Sequence, residues 1–301
     1  MKKIIENFYP AKYKDLLISF IAHQRSFFQE EMESSTIRGK LDRSAKELYR
    51  DVHNDSKPVF ALSTGRCGTM LLTKILSADA SLRVVHEPHP ELSYHSGWAY
   101  YKQSKGEKVE EQVIDVCRYE SIRDAFLLGK RYVETNNRIT FFANQLAILY
   151  PLAKFVHLER DVVPFVQSGY SRNWYGDERI GDEGRIIKYN DLQDWENYSQ
   201  VQKISWLWWE TNRFIRDFGE SIGSSRYFYL SSKHLFRSPD EVEKLLDFLE
   251  IENIPRQKLE NMMRKPVNKS PANRVKILEA EQLLEIEQLI SSLRLTTNGK
   301  V

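Results

Sequence analysis

The apolar run Val59-Phe60-Ala61-Leu62, the turn Ser63-Thr64-Gly65-Arg66-Cys67-Gly68-Thr69-Met70 and the helical pattern Leu71-Leu72-Thr73-Lys74-Ile75-Leu76 follow one another without a break. Together they read as a buried strand, a glycine turn and the start of a helix. Glycines let such a turn aim several backbone N–H groups at one point, where the dipole of the following helix also favours an anion. The turn therefore predicts a site for something phosphorylated, with Arg66 and Thr69 as side-chain donors.

The remaining pattern sets this turn in an α/β frame. Leu82-Arg83-Val84-Val85 reads as a second buried strand that ends in the polar cluster His86-Glu87-Pro88-His89-Pro90. Helical spacing over Glu110 to Glu134 precedes strand-like Ile139-Thr140-Phe141-Phe142, Lys154-Phe155-Val156-His157-Leu158 and Tyr227-Phe228-Tyr229-Leu230. Ser238-Pro239-Asp240-Glu241 carries the cap and the proline that open a helix. Strands alternating with helices predict a parallel sheet with right-handed crossovers, whose ligands gather beyond the carboxyl ends of the strands. That end collects Thr64–Thr69, Glu87 and Arg160. Residues 1–56 are expected to form a helical extension packed on the core, and residues 57–301 the α/β domain itself.

Charge and cysteine content narrow the function. Against 42 Asp and Glu stand 44 Lys and Arg, a net charge of +2, so the basic face of a nucleic-acid binder is not expected. Cys67 and Cys117 make neither a disulfide framework nor a metal set, and reduced thiols suit a cytoplasmic location. No apolar stretch is long enough to predict a signal peptide or a membrane span. His86, His89 and His95 lack the companions of a metal site, so no metal is expected.

A second anion site follows the strand that ends at Leu158. If a helix starts near Pro164, Ser168 and Arg172 lie four residues apart on one face, with Arg160 at the strand end before it. Two phosphate sites on one sheet imply a ligand that is anionic at both ends, such as a nucleotide phosphorylated on its 5′ and 3′ sides.

These residues resemble the sulfotransferases that use 3′-phosphoadenosine 5′-phosphosulfate. Thr64-Gly65-Arg66-Cys67-Gly68-Thr69 is similar to their 5′-phosphosulfate loop, and Arg160-Asp161 with Ser168 and Arg172 to their 3′-phosphate motif. The likeness spans roughly Pro58 to Asn268 and takes in Pro266-Val267-Asn268-Lys269-Ser270, similar to the family's C-terminal cofactor loop. It is strongest toward the tyrosylprotein and carbohydrate branches. The resemblance implies a three-layer fold like that of P-loop-containing nucleoside-triphosphate hydrolases, a central parallel sheet flanked by helices. It implies phosphosulfate as co-substrate without a metal, and a hydroxyl-bearing acceptor such as a carbohydrate, a tyrosine or a small metabolite. Thr64, Gly65, Arg66, Cys67, Gly68, Thr69, Met70, Arg160, Ser168, Arg172, Asn268 and Lys269 would bind the nucleotide. Glu87 would be the general base, with His86 and His89 as rivals, and Arg66 would stabilise the leaving group. The chain departs from the pattern at Cys67 and Met70, where hydroxyl residues are usual, and at Val162, where proline is usual.

Two other readings stay open on residues alone. A P-loop kinase would use a magnesium nucleotide, with Phe155-Val156-His157-Leu158-Glu159 ending in the magnesium-linked acid, but the turn lacks the lysine of a Walker A loop. A nucleotide-binding module without catalysis would hold the bisphosphate and turn nothing over. The segments Glu91–Lys108 and Asn173–Tyr198, with their aromatics, are expected to shape the acceptor pocket.

Overall fold

The computed structural model of the chain describes residues 32–40, 44–176, 185–264 and 276–298. Five strands, β1 (Val59–Leu62), β2 (Leu82–His86), β3 (Arg131–Thr135), β4 (Lys154–Glu159) and β5 (Tyr227–Ser231), form one sheet in the order β2-β3-β1-β4-β5. Every pairing is parallel. Side chains alternate across the pleat, and both faces are covered. Phe60 and Leu62 of β1 join one buried cluster and Val59 and Ala61 the other. The first cluster is closed by the helices Glu111–Leu127, Gln200–Ile222 and Ala280–Asn298, the second by Thr69–Leu76 and Pro239–Phe248. The predicted α/β frame is therefore present as helices on both faces of a parallel sheet.

One predicted strand is not a strand. Residues Asn137–Phe142 form a 3₁₀ turn, and the strand lies earlier, at Arg131–Thr135. The helix Glu111–Leu127 ends well before Glu134, with Gly129 in the left-handed region at the bend back into the sheet. Ile139 to Phe142 are all buried, Thr140 included, so their burial carries no period that separates strand from turn. The side chain of Asn136 settles it locally by accepting the N–H of Arg138. Elsewhere the caps act as read: Ser238 accepts the Glu241 N–H, and Pro239 stands at the helix start.

Of the expected N-terminal extension, residues 1–31 and 41–43 lie outside the described residues. The helix Ala45–Asp55 starts in a capping box between Ser44 and Glu47 and buries Leu48 and Val52 in the first cluster. It also brings His53 to Asp115. The ring Nε2 is 2.9 Å from one carboxylate oxygen, while Tyr49 donates its hydroxyl to the other at 2.7 Å. Burial opposes the charged imidazole, but the bonds to Asp115 and to the Tyr49 carbonyl outweigh it and raise the His53 pKa above 6.5. A raised folded-state value stabilises fully below the unfolded pKa, and the gain is lost as pH rises through the folded one. The stability difference between wild type and His53→Gln is therefore expected to be larger at about pH 5.5 than at about pH 8.5 by urea unfolding, and a difference that grows with pH would contradict this pairing. Among the described residues no helix is long and apolar enough to cross a membrane.

Candidate active site

The strand order explains why residues far apart in sequence meet. β1 lies between β3 and β4, so the turn after β1 faces Arg160 after β4 on one side and the end of β3 on the other, with Glu87 after β2 beyond it. A cleft of about 1080 Å³ opens there, lined by Gly65, Arg66, Gly68, Thr69, Met70, His86, Glu87, Arg160, Ser168 and Arg172 among others.

Gly65 at φ +76 and Gly68 at φ +99 take conformations that favour glycine, and Arg66 between them is also left-handed at φ +57. The turn is held from below. Ser63 exchanges bonds with Thr140 at 3.2 and 3.1 Å and accepts the Gly65 N–H at 3.1 Å. Gly68 caps the helix Thr69–Leu76 without any side-chain hydrogen bond, which leaves its first N–H groups for a ligand. Arg66 Nε is buried and has no hydrogen-bond partner. Thr64 and Cys67 do not line the cleft. Cys67 is wholly buried, its thiol reaching the Gly65 carbonyl at 3.0 Å and Thr64 at 3.1 Å, and burial pushes its pKa up to about 11. It braces the turn from inside, and Ser232 adds a 2.5 Å bond to its carbonyl.

Opposite stands the second cluster. In the helix Val162–Tyr170 and the turn after it, Arg172 Nη1 donates to the Ser168 carbonyl and hydroxyl at 2.8 and 2.9 Å. Arg160 Nη1 donates to the Arg66 carbonyl at 3.1 Å, so the two clusters touch. Burial lowers the pKa of Arg160 and of Arg172, and the neighbouring Arg66 charge lowers both further. Three guanidinium groups that repel one another thus gather around an uncapped helix start, an arrangement whose chemistry suits an anion.

Glu87 sits on the far wall with φ +45, a left-handed conformation unusual for a side-chain-bearing residue. Arg138 Nη1 lies 3.6 Å from its carboxylate and 3.7 Å from that of Glu91. His86 Nδ1 is bonded to the Thr135 carbonyl at 2.8 Å, which assigns the proton to Nδ1 and leaves Nε2 as acceptor, 3.9 Å from Glu87. His89 is exposed and does not line the cleft. Asn268 and Lys269 lie outside the described residues. Among the described residues no three His, Cys, Asp or Glu side chains are grouped to hold a metal ion.

Among the lining residues, Arg138, Lys233 and Arg237 escape the sequence reading, whereas Trp174 and Arg185 come from the segment Asn173–Tyr198 expected to shape the acceptor pocket. Lys233 and Arg237 lie on the helix Ser232–Arg237 at the carboxyl end of β5, where ligands of such sheets gather, and that position was the available signal. Trp174 packs under the second cluster. A Cβ on Gly169 would come within 2.5 Å of its ring and 2.9 Å of Ile204. Gly169→Ala is expected to cost about 1–3 kcal/mol of stability and, through the adjoining Ser168, to weaken binding of adenosine 3′,5′-bisphosphate, measured by thermal unfolding with and without the nucleotide.

No family model and no curated protein matches the chain. Among solved structures it is similar to a sulfotransferase from Alicyclobacillus acidocaldarius at 13% identity, over 78% of this chain and 92% of that one, with a TM-score of 0.47. It is also similar to the sulfotransferase domain of the Synechococcus PCC 7002 olefin synthase, at 17% identity over 79% and 96% of the two chains, TM-score 0.45. A third is the sulfotransferase domain from the curacin biosynthetic pathway, at 13% identity over 78% and 97%, TM-score 0.46.

Proposed function

We propose that this protein moves the sulfonyl group of 3′-phosphoadenosine 5′-phosphosulfate to an acceptor hydroxyl. One observation carries the reading: the turn around Arg66 and the cluster of Arg160, Ser168 and Arg172 open onto the same cleft, with a carboxylate on the facing wall. The buried, unpartnered Arg66 Nε and the uncapped helix start fit an anionic group, and the arginines beyond fit a second. The donor supplies an activated sulfonyl whose S–O bond to the phosphate breaks as a new S–O bond to the acceptor oxygen forms.

The chain's own groups then have distinct tasks. Arg66, Thr69 and the N–H groups of the turn stabilise charge that grows on the departing phosphate. Arg160, Ser168 and Arg172 hold the 3′-phosphate and so fix the donor in register. Glu87 takes the acceptor proton, and Arg138 steadies that carboxylate. Labelled phosphosulfate donor, incubated with a panel of hydroxyl acceptors and no added metal, tests the reading. Label should appear on an acceptor; no transfer there, with label moving from the outer phosphate of a magnesium nucleotide in a parallel incubation, would identify a kinase instead.

A further inference from the structure

We propose that Glu134, a wholly buried residue of β3, is a positioning residue that sets the place of the Glu87 carboxylate; this rests on Glu87 acting as the base. Glu134 accepts from Arg118 Nε at 3.0 and 2.8 Å, from the Tyr132 hydroxyl at 2.9 Å and from Asn136 Nδ2 at 2.9 Å. Two of these partners reach on to what fixes Glu87. Arg118 Nη1 donates to the Pro90 carbonyl at 3.1 Å, three residues past Glu87. Asn136 Oδ1 accepts the Arg138 N–H at 3.0 Å, and Arg138 is the cation beside Glu87. One carboxylate that does not line the cleft thus anchors the Glu87 segment from one side and its counter-charge from the other.

Stability alone is a poor explanation for this arrangement. Apolar residues of similar volume often replace a buried ion pair without loss. Here the pair even leaves Arg118 Nη2 without a partner. Glu87, by contrast, keeps its left-handed backbone only if its surroundings over-determine it. The Thr135 carbonyl accepts the Glu87 N–H at 3.4 Å, so the residue next to Glu134 completes the hold.

Removing Glu134 alone would strand the Arg118 charge, so the test uses the paired variant Arg118→Met with Glu134→Leu. Asn136→Ala, which leaves the ion pair in place, carries the same comparison if the paired variant fails to fold. Each is made in the wild-type and the Glu87→Gln background. The readouts are affinity for adenosine 3′,5′-bisphosphate and release of labelled sulfate from the phosphosulfate donor, with water as the accepting hydroxyl. Affinity should stay within about threefold, sulfate release should fall about 30-fold in the wild-type background, and no further fall should occur beside Glu87→Gln. Equal losses in both backgrounds, unchanged release, or affinity that falls in step would overturn the positioning role. Wild-type release by Glu87→Gln alone is a separate failure, that of the base assignment.

Discussion

Glu87→Gln is expected to lower sulfonyl transfer by about 10²–10⁴-fold while adenosine 3′,5′-bisphosphate binds within about threefold of wild type. Glutamine keeps the length of the side chain and can still meet Arg138, but it cannot take a proton. The residues proposed to bind the nucleotide lie on other elements, after β1 and β4, so binding should be untouched. His86 is the informative control. Thr135 holds its Nδ1, and its Nε2 faces the cleft wall 3.9 Å from Glu87. If His86→Asn abolished transfer while Glu87→Gln left it intact, the roles would be exchanged.

Arg160→Ala carries the second large effect, and it acts on binding. Charge-assisted bonds to a phosphate contribute about 1.5–3 kcal/mol each, so the dissociation constant for adenosine 3′,5′-bisphosphate should rise about 10- to 150-fold. The same substitution should leave the affinity for adenosine 5′-monophosphate nearly unchanged, because that nucleotide lacks the 3′-phosphate. Calorimetry with both nucleotides reads the difference. Equal weakening of the two would mean that Arg160 supports the turn through its 3.1 Å bond to the Arg66 carbonyl and does not select the 3′-phosphate.

What the sequence disclosed, and what it hid, follows from how far each signal reaches along the chain. The turn was legible because its cues are local: two glycines between an apolar run and a helical pattern. Ser168 and Arg172 were legible because four residues apart is a contact distance along a helix, and the turn that follows Tyr170 keeps it, here 2.9 Å. Arg138 was hidden by the four buried residues after it, whose complete burial looks the same in a strand and in a 3₁₀ turn. Arg118 and Glu134 were hidden for a stronger reason. Charged residues read as solvent-facing, and only the fold brings their side chains together with neither exposed. The inward aim of the Cys67 thiol is set locally, by the Gly65 carbonyl and the Thr64 hydroxyl, but only once the turn has taken its left-handed backbone.

The central claim is that a single nucleotide is held at both of its charged ends, and a crystal structure with adenosine 3′,5′-bisphosphate tests it most directly. The 5′-phosphate should lie against Arg66, Thr69 and the N–H groups that open the helix Thr69–Leu76, with the 3′-phosphate against Arg160, Ser168 and Arg172. A nucleotide seated elsewhere, or one whose 3′-phosphate points to solvent, would contradict the account.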